Sequence, residues 1–439
     1  MRKGFIFNHN KCVNCNACNA ACTLENGWKV HPRNIFTYNS DAEIILPVIN
    51  LSLACNHCES AICMQGCPTS ALSRNAVTGA IIIDEFKCIG CKYCQWNCPY
   101  DAPKFDSESK TVVKCNLCYS ELIAGGQPAC SSSCPTGALS FGQLSESSSS
   151  TSFNWFPDKK LNPAIEFTHG LNKSPLKIIP ENTFAQIESK SENTKKSINS
   201  EISLLLFSYL STFSVATLIS SFLKGKFTDK MIFIPVLILA GLISLFHLGR
   251  KARSWRSVSN FRTSPLSREI IFFIAYAVFS TITTFQHIPV LIIVSSFTGL
   301  IFLAMIDSVY LFSDRRKSIM FHSGQTFVSA LLMVSFFSGI ILPFIFIALI
   351  KLISSTYSLL SKPGGNVFNL RFIRIAFLFI PAMSLISSNF HNDIFIIVIF
   401  MVGEFFDRIL FYIDYNPLNI NILIREQINY DRDEKKRSK

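Results

Sequence analysis

Cysteine is absent from most of this chain. All 16 cysteines lie between Cys12 and Cys134, and the 305 residues from 135 to 439 contain none. No Cys-x-x-Cys-His sequence occurs, which excludes the usual attachment motif of a covalently bound haem. The amino terminus, MRKGFIFNHNKC, lacks both an apolar signal region and a twin-arginine motif. We therefore expect the cysteine-rich part of the chain to fold in the cytoplasm.

The cysteines that are present form four groups of four. Three groups end in Cys-Pro (Pro68, Pro99 and Pro135), which is the ferredoxin pattern for holding [4Fe-4S] clusters. Two groups have the spacing C-x2-C-x2-C-x3-C, and the other two lengthen the middle gap to four and eleven residues. In sequence order the groups are Cys12/Cys15/Cys18/Cys22, Cys55/Cys58/Cys63/Cys67, Cys88/Cys91/Cys94/Cys98 and Cys115/Cys118/Cys130/Cys134. These thiols suffice for four [4Fe-4S] clusters.

The spacing within a group has a mechanical reason. A cubane needs thiolates from four directions, and a tight C-x2-C-x2-C loop supplies only three of them. The cysteine after the three-residue gap points away and, in two-cluster ferredoxins, ligates the other cluster. Zinc sites use C-x2-C pairs without these further cysteines and the trailing proline. A disulfide framework is disfavoured because no secretory signal precedes the cysteines. The pattern predicts an electron-transfer protein.

Charge is also scarce, and it does not indicate a nucleic-acid-binding protein. Charged residues make up 16% of the chain, whose formal net charge is +12. A cluster with its four thiolates carries roughly −2, so four clusters reduce the net charge to about +4. Most of the remaining Lys and Arg residues flank apolar segments, where membrane topology explains them.

The first part of the sequence is predicted to be a separate domain. Residues 1–145 have the loop-rich, twofold-repeated character of an α+β bis-ferredoxin-like iron–sulfur domain. Short strands at Ala80–Asp84 and Thr111–Val113 are predicted to pair as small hairpins. Residues 146–200 are rich in Ser, Asn and Lys, which predicts a linker. The aromatic residues within 153–180 are expected to lie over the first domain.

Residues 201–415 predict an all-α polytopic membrane bundle of about eight transmembrane helices, because their apolar runs have membrane-spanning length. The predicted spans are Ile202–Leu223, Met231–Gly249, Glu269–Phe285, Pro289–Phe312, Phe321–Ser338, Leu342–Leu360, Phe372–Ser387 and Ile394–Ile413. Spans five and six require a tight turn near Gly339–Pro343. Without that turn the count is seven, and the basic tail, residues 416–439, lies on the opposite face.

Positive-inside bias favours eight spans and a cytoplasmic tail. With eight, nearly all basic clusters fall on one face; only the Lys224–Lys230 loop does not. The clusters are Lys195/Lys196, Arg250–Arg268, Arg315–Lys317, Lys351–Arg374 and Arg425–Lys439. We expect a multi-pass protein of the cell inner membrane.

Ionisable residues inside spans are costly and usually functional. A quinol releases protons with its electrons, so its site needs a proton acceptor, and neutral histidine or a carboxylate can serve. The candidates are His247, Glu269, Glu404 and Arg408. The alternative is that Glu404 and Arg408, spaced i,i+4, form a structural ion pair and that His247 is an interfacial anchor. A haem b would need paired histidines such as His247 and His322, and no haem is expected.

The chain resembles a fusion of two subunits of the dimethyl sulfoxide reductase family. Residues 3–142 resemble the four-cluster electron-transfer subunit through CNHCESAICMQGCPTSAL, CIGCKYCQWNCPYDAPKF and CNLCYSELIAGGQPACSSSCPTGALSFG. Residues 201–415 resemble the membrane anchor through FHLGR, SREI and GEFFDRILFY. The resemblance implies that the anchor oxidises menaquinol, with His247 matching the histidine of the HLG motif. It further implies that the clusters pass electrons to a separate molybdopterin catalytic subunit.

The resemblance also implies how the cysteines are shared. Groups one and four would share two clusters, and groups two and three the other two. The implied ligand sets are Cys12, Cys15, Cys18 and Cys134; Cys115, Cys118, Cys130 and Cys22; Cys55, Cys58, Cys63 and Cys98; and Cys88, Cys91, Cys94 and Cys67. Some relatives lack the cysteine at the position of Cys94 and hold a three-iron cluster. Because Cys94 is present, four cubanes are expected.

Other functions remain open at this point. A polysulfide- or nitrite-reductase type of iron–sulfur and anchor module is the main alternative, and electrons could also flow in the opposite direction, into quinone. An ion-pumping module would need carboxylates across the whole bilayer, and the far half of the spans is nearly empty of them. The sequence does not specify the terminal acceptor, the side of the membrane on which the catalytic subunit lies, or the oligomeric state.

Overall fold

The chain forms two units of different composition. The structure, a computed structural model, describes residues 2–38, 48–145, 156, 160–168, 198–226, 228–286, 288–313, 322–361, 366–386, 394–415, 417, 419–421 and 424. Unit 1 comprises Met1–Lys196, Ala252–Thr263 and Pro417–Lys439. Unit 2 comprises Ser197–Lys251 and Ser264–Asn416. The basic clusters predicted at 195–196, 315–317 and 425–439 lie outside the described residues.

Unit 1 is built from short strands and short helices. Its strands are Lys3–Phe7 (β1), Asn34–Tyr38 (β2), Ile49–Leu53 (β3), Leu72–Arg74 (β4), Ile81–Ile83 (β5), Lys104–Asp106 (β6), Thr111–Val113 (β7), Leu139–Gln143 (β8) and Ile165–Phe167 (β9). Its helices are Ala17–Asn26 (α1), Ile62–Gly66 (α2), Tyr93–Asn97 (α3), Tyr119–Ile123 (α4) and Ala129–Ser132 (α5). Such short elements bury little apolar surface each, so their loops must be fixed by something besides secondary structure.

The strands pair into one three-stranded sheet and three two-stranded sheets. In the larger sheet β1 is central, antiparallel to β8 and parallel to β9. The pairs β2–β3, β4–β5 and β6–β7 are antiparallel. The hairpins expected at Ala80–Asp84 and Thr111–Val113 are therefore confirmed, with Leu72–Arg74 and Lys104–Asp106 as their partners.

Two segments that are distant in sequence add buried residues to unit 1. Strand β9 lies within the range predicted as linker, and the Phe167 ring meets the Phe7 ring edge-on at 6.2 Å. After the last helix, Ile420 and Ile424 are buried in the same core. The Tyr38 hydroxyl donates a hydrogen bond to Asn421 Oδ1 at 3.1 Å. Burial of these apolar side chains stabilises both segments against the cysteine-rich part.

Unit 2 is helical and apolar. Its helices are Ile198–Leu223 (α6), Lys230–Ser244 (α7), Pro265–Gln286 (α8), Pro289–Ser313 (α9), Thr326–Ser338 (α10), Ile341–Ser361 (α11), Asn366–Ile386 (α12) and Ile394–Asp414 (α13). Within the described ranges, the segments long and apolar enough to cross a membrane number four: Glu201–Leu223, Lys230–His247, Pro265–Gln286 and Pro289–Ser313. The helical apolar region is confirmed, whereas the crossing of the membrane by all eight helices stays a prediction.

Several predicted span boundaries differ from the helix ends; helices α8 and α12 begin at Pro265 and Asn366, earlier than the predicted Glu269 and Phe372. Helix α7 ends at Ser244, and Leu245–His247 forms a 3-10 turn instead of continuing the predicted span to Gly249. Helix α10 begins at Thr326 and not at Phe321. It begins there because the Asp307 carboxylate accepts hydrogen bonds from the backbone N–H groups of Thr326 and Phe327, at 2.9 and 3.0 Å.

The predicted tight turn between spans five and six is confirmed. Helix α10 ends at Ser338 and helix α11 begins at Ile341. The helix is terminated by Gly339, whose φ of +75° is the left-handed conformation that glycine adopts without a Cβ penalty.

Candidate functional site: four thiol cages and a buried charge network

The pairing of β1 with β8 brings the first and last cysteine groups together. In that antiparallel pair Phe7 lies opposite Leu139. The loop that leaves β1 therefore starts at the same end as the loop that enters β8. A small cavity of about 20 Å³, partly open to solvent, lies at this end. The cysteines that line it are Cys12, Cys15, Cys18 and Cys134.

The other cysteines also meet in sets that combine two sequence groups. Electrostatic interactions between neighbouring thiols link three further sets. They are Cys22 with Cys118, Cys130 and Cys115; Cys58 with Cys55, Cys63 and Cys98; and Cys91 with Cys67, Cys88 and Cys94. In every set three cysteines come from one group and the fourth from another. We call the four sets cages A (with Cys12), B (with Cys115), C (with Cys55) and D (with Cys88).

The cages follow one another in a row. Cys22 of cage B interacts with Cys18 of cage A. Cys115 of cage B interacts with Cys55 of cage C. Cys94 of cage D interacts with Cys63 of cage C. These interactions connect the cages in the order A, B, C, D.

The cages fit clusters better than single metal ions. Within the part of the chain that the structure describes, no three His, Cys, Asp or Glu side chains converge closely enough to hold one metal ion. Four thiolates bound to zinc at 2.3 Å would lie only about 3.8 Å from one another. A cubane separates its thiolates further because each thiolate binds a different iron. The wider sets of four thiols suit that arrangement.

The thiols need positive charge from a bound group. Burial, together with the neighbouring Cys130, raises the pKa of the Cys22 thiol to about 12. Burial and the neighbouring Cys67 raise the pKa of Cys91 to about 12. Four thiolates so close together are stable only when a bound cation compensates them, as iron does in a cluster.

Backbone N–H groups already point at cage sulfurs. Ala71 N donates to Cys67 Sγ at 3.3 Å, and Leu139 N donates to Cys134 Sγ at 3.4 Å. Leu117 N donates to Cys115 Sγ, also at 3.4 Å. Such hydrogen bonds orient thiolate ligands and adjust the reduction potential of a cluster. The loops must turn tightly to place these N–H groups near the sulfurs. Leu117, for example, has a left-handed backbone conformation with a φ of +65°.

A segment from between helices α7 and α8 belongs to unit 1 and packs against a loop of cage D. Asn260 Nδ2 donates to the carbonyl oxygen of Cys67 at 2.9 Å, and Asn260 N donates to that of Pro68 at 3.1 Å. Arg253 and Arg256 donate to the carbonyl oxygens of Glu85 and Phe86, at 2.8 and 2.6 Å. These bonds fix the segment on the loops that carry two of the cysteine groups.

Unit 2 contains a network of buried charges. Lys351 Nζ in α11 lies 2.6 Å from Glu404 Oε2 and 2.9 Å from Asp407 Oδ2, both in α13. Arg374 Nη2 in α12 lies 2.6 Å from Glu404 Oε1 and 3.3 Å from Asp407 Oδ2. All four side chains are at most 2% exposed. Because Glu404 and Asp407 are spaced i,i+3, one face of α13 presents both carboxylates to two neighbouring helices.

The alternative that pairs Glu404 with Arg408 is wrong. Arg408 Nη1 instead lies 3.9 Å from Asp307 Oδ1 and donates to the carbonyl oxygen of Gly324 at 2.9 Å. Arg408 Nε donates to Ser208 Oγ at 2.9 Å. The i,i+4 spacing permits the intrahelical pair, but each of the two residues binds partners outside α13 instead.

The sequence did not identify Lys351 and Arg374 as part of a buried network. Both fall among the basic residues that were expected to flank spans, yet the structure buries them. A signal was available, since each is a cation inside a strongly apolar run, ALIKLI and FIRIAF. Buried cations in a membrane helix require anionic partners, and Glu404 and Asp407 supply them.

Glu269 stands apart from this network. It is 7% exposed in the first turns of α8 and interacts electrostatically with Arg408 and Asp307. Among the described residues, no hydrogen bond or ion pair within 4 Å involves its carboxyl group. The structure thus brings Glu269 and Arg408 together and directs Glu404 elsewhere. His247 lies half-buried in the 3-10 turn that follows α7.

These features define an iron–sulfur electron-transfer domain joined to a helical membrane anchor. The family described as "4Fe-4S dicluster domain" matches residues 47–144, and the family described as "DMSO reductase anchor subunit (DmsC)" matches residues 198–362. This polypeptide belongs to the dimethyl sulfoxide reductase family, and it joins the iron–sulfur and anchor parts in one molecule.

Several relatives are similar to about a third of the chain. The B subunit of the anaerobic dimethyl sulfoxide reductase of Haemophilus influenzae is 37% identical over 154 residues, which is 33% of this chain and 75% of the relative. The probable anaerobic dimethyl sulfoxide reductase subunit YnfG of Escherichia coli is 36% identical over 153 residues, 33% of this chain and 74% of the relative. Thiosulfate reductase electron transfer subunit PhsB of Salmonella typhi is 35% identical over 147 residues, 32% of this chain and 76% of the relative. This protein is an integral membrane protein that holds [4Fe-4S] clusters and transfers electrons.

Proposed function

We propose that this protein takes electrons from menaquinol in its membrane domain and passes them through four [4Fe-4S] clusters to a separate molybdopterin catalytic subunit. The observation that supports this most strongly is the row of four thiol cages. Each cluster, when bound, would accept and release one electron at a time. Cages A to D would use all the cysteines as ligands, in the sets that the family resemblance implies.

The row of cages supports a relay along the whole of the cysteine-rich part. Thiols of successive cages interact electrostatically, through Cys18 and Cys22 and through Cys63 and Cys94. We propose that electrons enter at cage D. The segment between His247 and Glu269 contains Asn260, which hydrogen-bonds the Cys67 carbonyl of that cage. Sequence connectivity alone therefore links the two proposed quinol residues to cage D.

The protons of the quinol need acceptors that are not already engaged. Glu404 is held by Lys351 and Arg374, so protonating it would break short ion pairs. Glu269 is buried without such a partner among the described residues, which favours it as the proton acceptor. We propose that His247 binds and deprotonates the quinol with Glu269. Arg408 would shape the pocket next to Glu269, and Glu404 would hold α11 and α12 in place around it.

We propose that all eight helices cross the inner membrane and that unit 1 is cytoplasmic. Unit 1 contains the residues before α6, the segment between α7 and α8, and the residues after α13. Segments of one compact unit lie on one side of a bilayer, so each run of helices between them crosses an even number of times. Two crossings by α6 and α7, followed by six crossings by α8 to α13, satisfy this condition. A total of seven crossings does not.

The proposal is tested by anaerobic purification of the full-length protein and redox-titrated EPR, with and without a quinol-site inhibitor. We expect four cubane signals, one of them perturbed by the inhibitor. In stopped-flow assays, His247→Ala and Glu269→Gln should slow the reduction of the clusters by menaquinol at least tenfold, because each removes a proton acceptor. The exposed His31 provides the control, since His31→Ala should retain the wild-type rate. Wild-type rates in both membrane variants would refute the quinol site.

A second candidate is a module that serves a thiosulfate-, polysulfide- or nitrite-reducing partner, or one that delivers electrons to quinone. The similarity to PhsB, at 35% identity, nearly equals that to the dimethyl sulfoxide reductase subunits. Mass spectrometry of the polypeptides that co-purify separates these candidates. A molybdopterin subunit together with dimethyl sulfoxide reduction supports the first, and thiosulfate or polysulfide reduction supports the second.

A further inference from the structure

We propose that Arg33 is a buried cation that raises the reduction potentials of the clusters in cages A and B by directing free N–H groups at them. The inference rests on the proposed cluster ligation and adds a residue that is not itself a ligand. Arg33 directly precedes β2 and is 1% exposed. Its charge interacts with four thiols that belong to these two cages: Cys18, Cys22, Cys115 and Cys130.

One edge of the Arg33 guanidinium is fixed by protein groups. Nη1 donates to Ser52 Oγ at 3.1 Å and to the Ser52 carbonyl oxygen at 3.4 Å. Ser52 lies in β3 opposite Ile35 of β2, so the pairing of the two strands sets this contact. Ser52 Oγ is also 3.4 Å from Cys18 Sγ. The guanidinium carbon lies 4.7 Å from the centre of the Phe5 ring, which covers one of its faces.

The other edge of the guanidinium is formed by Nε and Nη2. Nε and Nη2 are buried, and neither has a hydrogen-bond acceptor among the described residues. Leaving charged donors buried and unpaired is costly, so we expect these nitrogens to bind a group that the described residues do not supply. The Arg33 charge interacts with cage thiols, whose clusters would carry negative charge and accept hydrogen bonds through sulfur.

The second buried cation of the cysteine-rich part, Lys114, is bonded differently. Its Nζ donates to the carbonyl oxygen of Cys115 at 2.8 Å and also to that of Ile81. Lys114 therefore joins two loops through backbone oxygens. Arg33 differs because it keeps two N–H-bearing nitrogens for the cages, which suits a residue that adjusts clusters and not only loop packing.

A cation next to a cluster favours its reduced form, because reduction adds one negative charge. Arg33 should therefore shift the equilibrium of the two adjacent clusters toward reduction. Removing the charge in Arg33→Gln should favour the oxidised form of both by at least tenfold, which is about 59 mV for a one-electron couple. Arg33→Lys keeps the charge without the planar fork of donors, so its shift should be smaller.

The experiment is a redox titration by EPR on the purified full-length protein, with iron and sulfide measured in every sample. Wild type, Arg33→Gln, Arg33→Lys and Lys29→Gln are compared; Lys29 is an exposed cation four residues away that pairs with Glu108. We expect two of the four signals to move to lower potential in Arg33→Gln and none to move in Lys29→Gln. Unchanged potentials in an Arg33→Gln protein with full iron content would overturn the role of Arg33 while leaving the proposed relay intact. A wild-type protein without clusters would instead refute the relay.

A measurement on the wild-type fold covers the case in which Arg33→Gln does not assemble its clusters. The full-length protein is labelled with nitrogen-15 arginine, and electron spin echo spectra of the reduced clusters are recorded. We expect the wild-type spectra to show coupling to the nitrogen-15 of a guanidinium. This coupling should be absent from the spectra of labelled Arg33→Lys. Absence of that coupling in the wild-type protein would contradict the proposal.

Discussion

The two units bury charge in opposite ways. In unit 2, Lys351 and Arg374 satisfy Glu404 and Asp407 at distances of 2.6–3.3 Å, so the polypeptide contains both signs. In unit 1, Arg33 is buried with two nitrogens that have no acceptor among the described residues. The comparison shows which buried charges are complete within the polypeptide and which require a bound group. The cysteines of unit 1 surround the sites for iron and sulfide. In unit 2, most buried charges are instead compensated by oppositely charged side chains of the same polypeptide.

The same comparison separates two kinds of carboxylate in unit 2. Glu404 and Asp407 are engaged by cations of neighbouring helices, and Asp307 caps helix α10. Glu269 is buried beside Arg408 without a hydrogen bond among the described residues. A carboxylate that holds helices together cannot take up a proton without destabilising them. Glu269 lacks such partners among the described residues, which supports the proposal that it takes up a proton from the quinol.

The largest predicted effect is that of iron removal on unit 1. Cysteines belong to both hydrophobic cores of the cysteine-rich part. The strands of this part are only three to five residues long. Anaerobic chelation under mild oxidation should therefore unfold unit 1 and leave the helices of unit 2 intact. Limited proteolysis should show rapid cleavage within residues 1–145, while far-UV circular dichroism retains most of its helical signal. If residues 1–145 resisted proteolysis equally well with and without iron, the fold of unit 1 would not depend on the clusters.

The next effect concerns the charge network of unit 2. Lys351→Met leaves two buried carboxylates without one of their cations, which should destabilise the helical bundle by about 3–5 kcal/mol. Thermal unfolding in detergent measures the loss. The control is Lys226→Met at an exposed position, which should change stability by less than about 0.5 kcal/mol. Equal unfolding temperatures for the two variants would show that the network is not needed for stability.

A smaller effect is expected where Asp307 caps helix α10. Asp307→Ala removes the acceptor for the N–H groups of Thr326 and Phe327, which should cost about 1–2 kcal/mol. Asp307→Asn keeps one oxygen acceptor and should lose less. Hydrogen exchange of the first turn of α10 reports the capping directly. If exchange there were as slow in Asp307→Ala as in wild type, the capping role would be wrong.

The smallest effect is a dependence of unit 1 on pH. Burial lowers the pKa of His9 below its usual 6.5, so the folded state keeps the ring neutral while the unfolded state protonates it. The contribution of His9 to stability is therefore complete above pH 6.5 and is lost as the pH falls below that value. Denaturant midpoints of cluster absorbance, measured between pH 8 and 5, should fall less steeply in His9→Gln. An identical slope in both proteins would exclude His9 as a source of the acid sensitivity.

Much of this architecture could be predicted from the sequence because it depends on local pattern. Apolar runs located the helical segments, and Gly339 located the turn between α10 and α11. The alternation of short β segments with turns predicted the hairpins at Ile81–Ile83 and Thr111–Val113. The spacing of the cysteines predicted groups that share ligands, since one loop cannot enclose a cubane.

Features that depend on contacts distant in sequence could not be predicted in this way. The partners of Glu404 are Lys351 and Arg374, on two other helices, and no spacing along the sequence identifies them. The start of α10 depends on Asp307, which lies in the preceding helix. Nothing in the sequence distinguishes Arg33 from other basic residues. Its proposed role follows from its burial and from its interaction with four thiols that are distant from it or from one another in sequence.

The most direct test of the account is the iron and acid-labile sulfide content of the anaerobically purified full-length protein, with Mössbauer spectra of iron-57-enriched samples. The account predicts as many irons as cysteines, 16 per molecule, with an equal number of sulfides and spectra of [4Fe-4S] clusters alone. A protein that carries zinc in these cages, or that holds half of this iron when fully loaded and active, would contradict four clusters arranged in a row.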